Sequence, residues 1–245
     1  MQGVCSFCGT EGTLIKAHLI PSSLYDRKSA KAEALLVATT ETPGRVSRSW
    51  TGIYDPNLVC RKCEDLWDPW DSYAAEFLRN INSFAEPLHH NGKLIGLRVE
   101  DYDFEKLKLF FLSVAWRCGA SKRKEFSMVK LGPYATMLKE AIENNDPDHP
   151  ASFDVSIHRF DDTKLGTAFL NPHCERWDGI NLLRLYMFGF TVLVKTDRRP
   201  MPSVLRRFRM KKGEPLYICI RQFKGGPEHR LMLRMVRGDE PAAPV

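Results

Sequence analysis

The sequence predicts an α+β protein in which a small cysteine-centred N-terminal unit precedes a helical segment and then an antiparallel sheet. Three observations lead there. Two Cys-x-x-Cys pairs, Cys5/Cys8 and Cys60/Cys63, bracket the first sixty residues. Apolar residues then recur at spacings of three and four, the signature of amphipathic helices, until about residue 143. From Phe153 onward the apolar runs shorten and become strand-like, so helices come first and sheet after. With 245 residues, 43% hydrophobic and 27% charged, the chain can form a sizeable core as one large domain or two modest ones. The boundaries read as a first unit over 1–80, a connector over 81–103 and an α+β unit over 104–245.

Each element has a local reason. Thr13-Leu14-Ile15 reads as a short strand running into Lys16-Ala17-His18-Leu19-Ile20-Pro21. Residues 26–51 are rich in Lys, Arg, Ser and Thr with a Pro43-Gly44 turn signal, and read as an exposed excursion. After Cys63, the residues Trp67, Trp70, Ala74, Phe77 and Leu78 form a helical stripe, with Pro69 placed in its first turns. Glu64, Asp68 and Asp71 lie on another face, where negative charge suits a helix N-terminus. Within 87–103, Lys93–Val99 reads as a strand. Phe104 to Cys118 is a helix with Gly119 as its stop, and Tyr134 to Glu143 another, closed by Asn144-Asn145-Asp146-Pro147. Strands are expected at Phe153–Phe160, Leu165–Leu170, Ile180–Leu185, Phe190–Lys195 and Leu216–Phe223, with Gly189 marking a bulge or hairpin.

Composition excludes several classes. The most apolar stretch, Ile180 to Val194, is 15 residues long and contains Arg184, too short for a membrane helix of about 20 residues. Neither a charged leader nor an apolar run opens the chain, so the expected compartment is the cytoplasm. Seven cysteines, three of them scattered singly at Cys118, Cys174 and Cys219, do not form a secreted disulfide framework. One Cys-x-x-Cys pair alone is also a redox motif. Two pairs supply the four thiolates of a closed tetrahedral zinc site. Arg61 and Lys62, between the second pair, offset the negative charge of such a site.

The net charge of +6 is uneven: Lys195 to Arg237 holds 13 Lys/Arg and 3 Asp/Glu, leaving the remainder net acidic. Arg206, Arg207, Arg209, Lys211 and Lys212 form the densest part. Such clustering suits a polyanion, nucleic acid above all, although most charge runs are solvated faces.

The order Cys5-x-x-Cys8, His18, Asn57, Cys60-x-x-Cys63, Glu64 resembles the His-Me finger (HNH) endonucleases in their four-cysteine form. His18-Leu19-Ile20-Pro21 matches the family's His and apolar-apolar-Pro step. Asn57-Leu58 before Cys60-Arg61-Lys62-Cys63 matches its Asn and second cysteine pair. The resemblance covers residues 1–80 only. It implies a zinc-held treble-clef (ββα-metal) unit that hydrolyses phosphodiester bonds, with DNA as the expected partner. An imidazole with a pKa near about 6.5 can take a proton from the attacking water, so His18 becomes the general base and Asn57 its positioner. The resemblance implies a Mg²⁺ or Mn²⁺ ion holding the scissile phosphate, and because a carboxylate is a hard oxygen ligand, Glu64, with Asp68 one turn later, is the candidate ligand set. Two positions depart from the family: Ala17 stands where a metal ligand is usual, and Glu64 where His or Asn is usual.

Residues 104–245 resemble no recognised family and are expected to bind nucleic acid, a protein partner or a second copy of the chain. In a defence or mobile-element setting they would sense a signal and the nuclease would act on it. The rival reading is a non-catalytic zinc-finger binding module that has lost its catalytic ligands. Trp50 and Tyr54 offer rings for base stacking, though core packing is their commoner use. His89-His90 read as an exposed turn, and His173 with Cys174 as a strand end.

Overall fold

Short hairpins and one long helix shape the N-terminal third of the computed structural model, which describes residues 1–24, 35–38, 44–50, 52–162, 165 and 168–237. Strands β1 (Gln2–Val4) and β2 (Glu11–Thr13) pair antiparallel and close the loop carrying Cys5 and Cys8. Gly9, at φ 74°, makes the tight turn there, a backbone state that glycine adopts without strain. β3 (Ala17–His18) pairs with a later strand across an excursion holding β4 (Leu35–Ala38) and β5 (Val46–Ser49). That partner, β6 (Tyr54–Asp55), sets His18 opposite Tyr54.

The excursion was expected to be exposed, yet Leu35 and Val37 are buried. Alternation along β4 turns these two inward, and β4 pairs with a strand at Ala168–Phe169. Residues 26–34, 39–43 and 51 of the excursion, Pro43 among them, lie outside the described residues.

Helix α1 (Arg61–Phe84) buries Trp67, Trp70, Ala74, Phe77, Leu78 and Ile81 along one face. Pro69 sits inside this helix rather than in its first turns. The carbonyl of Asp65 thereby loses its intrahelical donor, on a face of the helix where Asp65 and Pro69 are both exposed. Residues 86–99 form a hairpin, β7 (Glu86–His90) and β8 (Lys93–Val99), so His89 and His90 belong to an edge strand.

Helix α2 (Phe104–Ala120) is buried nearly all round, as befits a helix between α1, α3 (Tyr134–Glu143) and a sheet. Asp103 caps it by accepting from the Lys106 amide at 3.0 Å. Gly119 does not stop it. The helix continues to Ala120, and Gly119 is where Leu131 presses in: an added Cβ would collide with Leu131 Cδ1 and Cγ.

The remaining strands are β9 (Val155–Phe160), β10 (Ala168–Phe169), β11 (His173–Trp177), β12 (Ile180–Met187) and β13 (Phe190–Lys195). After α4 (Ser203–Arg206) come β14 (Leu216–Arg221) and α5 (Pro227–Arg237). The large sheet has the order β11-β12-β13-β9-β14-β8-β7. It is mixed rather than antiparallel: β14 enters between β9 and β8, pairs antiparallel with β8, and so runs parallel to β9. Phe188 and Gly189, both at positive φ, make the two-residue turn between β12 and β13.

One sheet face, with Ile157, Val192, Val194, Leu183 and Ile218, joins α1 and α2 in a single apolar cluster that also includes Cys5, Phe7 and Leu19. The other face is covered by Met201 and Leu205 at one end and by α5 at the other. β10 pairs in parallel with β4, and the Gly44 amide donates to the Met235 carbonyl at 2.6 Å, which straps the excursion onto this outer layer. The fold is therefore mixed α/β, with five helices among the described residues, a large mixed sheet, smaller sheets and a four-cysteine group near the N-terminus.

Helix propensity alone makes Gly119→Ala stabilising by about 1 kcal/mol. The contact with Leu131 reverses that sign: Gly119→Ala should lower stability in urea unfolding by about 1–3 kcal/mol, and Leu131→Ala in the same chain should shrink the loss. A stabilised single variant would refute this packing.

Candidate functional site

The four cysteine sulfurs lie within 4.8 Å of one another. Measured edges are 3.7 Å for Cys5–Cys63, 3.9 Å for Cys8–Cys60 and 3.6 Å for Cys60–Cys63. Zn–S bonds of about 2.3 Å in a tetrahedron require sulfur–sulfur edges of about 3.8 Å. The group is compatible with a structural zinc ion. Backbone contacts tie the two pairs together: the Ser6 amide donates to the Leu58 carbonyl, Ile15 to Val59, and the Cys60 amide to Cys5 Sγ at 3.4 Å. Cys60 and Cys63 sit at the N-terminus of α1, where the helix dipole favours thiolates. Cys8 is exposed, and hydrogen bonds from the Thr10 hydroxyl and amide lower its thiol to about 6. Burial pushes the Cys63 thiol up. Arg61 and Lys62 are exposed beside it, and Arg61 pairs with Asp65 at 3.7 Å.

Beside this centre the backbone of His18 is held on both sides. Its amide donates to Glu64 Oε1 at 3.3 Å, and its carbonyl accepts from Arg117 Nη1 at 2.8 Å. The next amide, Leu19, donates to the Ile53 carbonyl at 2.9 Å. Strand alternation turns Ala17 into the core and leaves the His18 side chain half-buried, with its ring 6.3 Å from that of Tyr54. Glu64 Oε2 accepts from the Trp67 indole at 3.2 Å, so each carboxylate oxygen has a protein donor. Burial raises the Glu64 pKa, and the Arg117 charge opposes that rise.

Asp71 is not a solvated helix residue: it is 8% exposed and meets Arg117 in a bidentate pair at 2.7 and 2.9 Å. Asp68 is exposed on the outer face of α1. Among the described residues, the four cysteines are the only group of three or more His, Cys, Asp or Glu side chains able to hold a metal. Asn57 is exposed. Its amide donates to Asp55 Oδ1 at 2.9 Å, while Asp55 Oδ2 accepts from the Ser121 hydroxyl at 2.7 Å. The buried side chain that fixes this loop is therefore Asp55. Sequence reading missed Asp55, Arg117 and Ser121, whose only signal was a charged or polar residue at a position of apolar period.

The basic stretch divides. Arg209 pairs with Asp154 at 3.9 Å, Lys211 with Glu214 at 2.7 Å and Lys212 with Glu105 at 2.7 Å, while Arg206 and Arg207 are exposed. Glu105 is at the first turn of α2 and Arg117 at its last, about 18 Å apart at 1.5 Å per residue. Lys212 thus lies at the opposite end of α2 from His18.

Fold and site together define a mixed α/β protein with a four-cysteine group able to hold a metal ion, next to a clamped histidine. No family model matches the chain, and no curated protein and no solved structure matches it significantly. No helix among the described residues is long and apolar enough to cross a membrane.

Purified protein should carry about one zinc per chain, and Cys60→Ser should lose it and unfold or aggregate the N-terminal unit. Zinc affinity should fall more steeply with acidification below about pH 6, where Cys8 takes up a proton. Metal analysis without zinc, or a Cys60→Ser protein with an unchanged melting curve, would reject the centre. Arg117→Met should destabilise by about 3–5 kcal/mol, since it strands the buried Asp71 charge, and Asp71→Leu added to it should recover most of that loss. Strictly additive losses in chemical denaturation would contradict the pairing.

Proposed function

We propose that the chain is a zinc-held unit of the His-Me finger type that hydrolyses phosphodiester bonds of nucleic acid, with His18 as general base. The observation that carries this reading is the placement of His18: a half-buried imidazole on a two-residue strand whose amide and carbonyl are both fixed, beside a four-cysteine centre. The order of parts supports a treble clef, with a cysteine loop on a hairpin, a second hairpin bearing His18, and a helix opening on the second cysteine pair. In this reading the zinc holds the two loops and takes no part in chemistry. His18 accepts the proton of the attacking water, Asp55 keeps the loop before Cys60 in place, and Glu64 with Arg117 prevents the histidine strand from shifting.

Glu64 and Asp68 do not fit the Mg²⁺ or Mn²⁺ site that the resemblance implies. Glu64 spends both oxygens on protein donors and Asp68 faces outward, so no step is assigned to an ion held by them. This same observation favours a second reading, a zinc-finger module that binds nucleic acid without cutting it.

A plasmid-nicking assay separates the two. His18→Ala should reduce cleavage by about 10²–10⁴-fold while zinc content and the melting curve stay unchanged. Glu64→Gln should affect folding more than the metal requirement. Binding without cleavage in every divalent ion tried would select the module, and full cleavage by His18→Ala would reject His18 as the base.

A further inference from the structure

In the C-terminal stretch Arg209, Lys211 and Lys212 are paired with carboxylates while Arg206 and Arg207 stay exposed, and a second set of exposed cations lies near His18. Lys16, Lys122 and Lys124 are exposed, and among the described residues none of them has a carboxylate within ion-pair distance. The segment that carries the last two is fixed against the histidine hairpin. Ser121 donates to buried Asp55, Arg123 Nη1 donates to the Tyr54 carbonyl at 2.6 Å, and Arg123 Nη2 is held by Glu125 at 2.6 Å. Arg123 is thus a strut, with Lys122 and Lys124 on either side of it. From the other direction Lys16 places its ammonium 5.5 Å from the centre of the Tyr54 ring. Trp50, four residues before Tyr54, is 65% exposed, a large ring with no place in the core. Arg48, on β5 just before it, is exposed as well.

The geometry points to a nucleic-acid track on the His18–Tyr54 face, in which Lys16, Lys122 and Lys124 contact successive phosphates and Trp50 stacks on an unpaired base. Ammonium groups free of carboxylates release counterions when they meet phosphates, while lysines already paired release few. An exposed indole gains from any base that can leave its stack, so the track favours a single strand over an intact duplex. The inference rests on the nucleic-acid reading above and names where that acid lies: at the end of α2 nearest His18, not beside Lys212.

The test uses the full zinc-loaded chain and fluorescent single-stranded and duplex DNA and RNA 20-mers, titrated at several salt concentrations. Changing Lys16, Lys122 and Lys124 together to Ala should lower the slope of log affinity against log salt on single strands by about 2. Changing Arg209, Lys211 and Lys212 together to Ala should lower it by less than about 1. Trp50→Ala should weaken single-strand binding by about 5- to 150-fold, with a smaller effect on duplex. Unchanged zinc content and melting curves show that the surface variants fold. If wild type binds but the first triple variant keeps its slope, or the second loses more, the track is wrong while the nucleic-acid reading survives. If wild type shows no salt-dependent binding to any of the four, both fall.

Discussion

A guanidinium that reaches no solvent determines where the histidine strand can sit. Arg117 is 0% exposed, and all five of its N–H donors are used: Nε on the Ser113 carbonyl, one Nη on His18 and Asp71, the other on Asp71 and the Ser113 hydroxyl. Taking an ion pair out of water costs several kcal/mol per ion, so an arrangement like this persists only when every remaining donor is satisfied. Trp67 lies against the guanidinium at 5.2 Å and excludes water from it. The result ties three elements, α1 through Asp71, α2 through Arg117 and β3 through His18, at one buried point.

The four-cysteine group and this pair act on the same helix eight residues apart, since Cys63 lies in the first turn of α1 and Asp71 follows two turns later. A metal centre fixes the ends of loops but says little about the direction in which a helix leaves it. The ion pair supplies that direction by fastening α1 to α2. Glu64 lies between the two anchors and turns its carboxylate back to the His18 amide and the Trp67 indole. Its position after the last cysteine therefore has an architectural use, which explains a carboxylate there without any ion.

Elements specified by local chemistry were legible. Phe190–Lys195, Lys93–Val99 and Tyr134–Glu143 have the bounds that their apolar patterns and flanking Gly, Asn and Pro suggest. The cysteine spacing announced four sulfurs at one point. Elements specified by tertiary contact were not. β11 carries His173, Cys174, Glu175 and Arg176, which no strand pattern favours, and it exists because β12 offers it an edge. α5 shows a helical stripe in Leu231, Met232 and Met235, but its docking depends on Glu228 meeting Arg184 and Arg221 from two strands. Gly119 looked like a stop because a glycine late in a helix usually is one; its real reason, the approach of Leu131, is invisible without the third dimension. At the site, His18 was found by its motif, whereas Asp55 and Arg117 have no motif to announce them.

Charge shows the same limit more sharply. A sequence window counts each lysine as free, yet the carboxylates that neutralise Arg209 and Lys212 come from Asp154 and Glu105, some 55 and 107 residues away. Conversely Ser121-Lys122-Arg123-Lys124 is a modest run by count, and it stands out only because the end of α2 delivers it to β6. Long-range folding redistributes which cations remain free to meet phosphates, while the summed charge of the whole chain sets the wider attraction for a polyanion. The placement of Lys122 and Lys124 is consequently a property of how α2 is oriented, and Arg117 fastens α2 to α1 and β3. One buried pair thereby holds both the backbone of His18 and the end of α2 from which Lys122 and Lys124 follow.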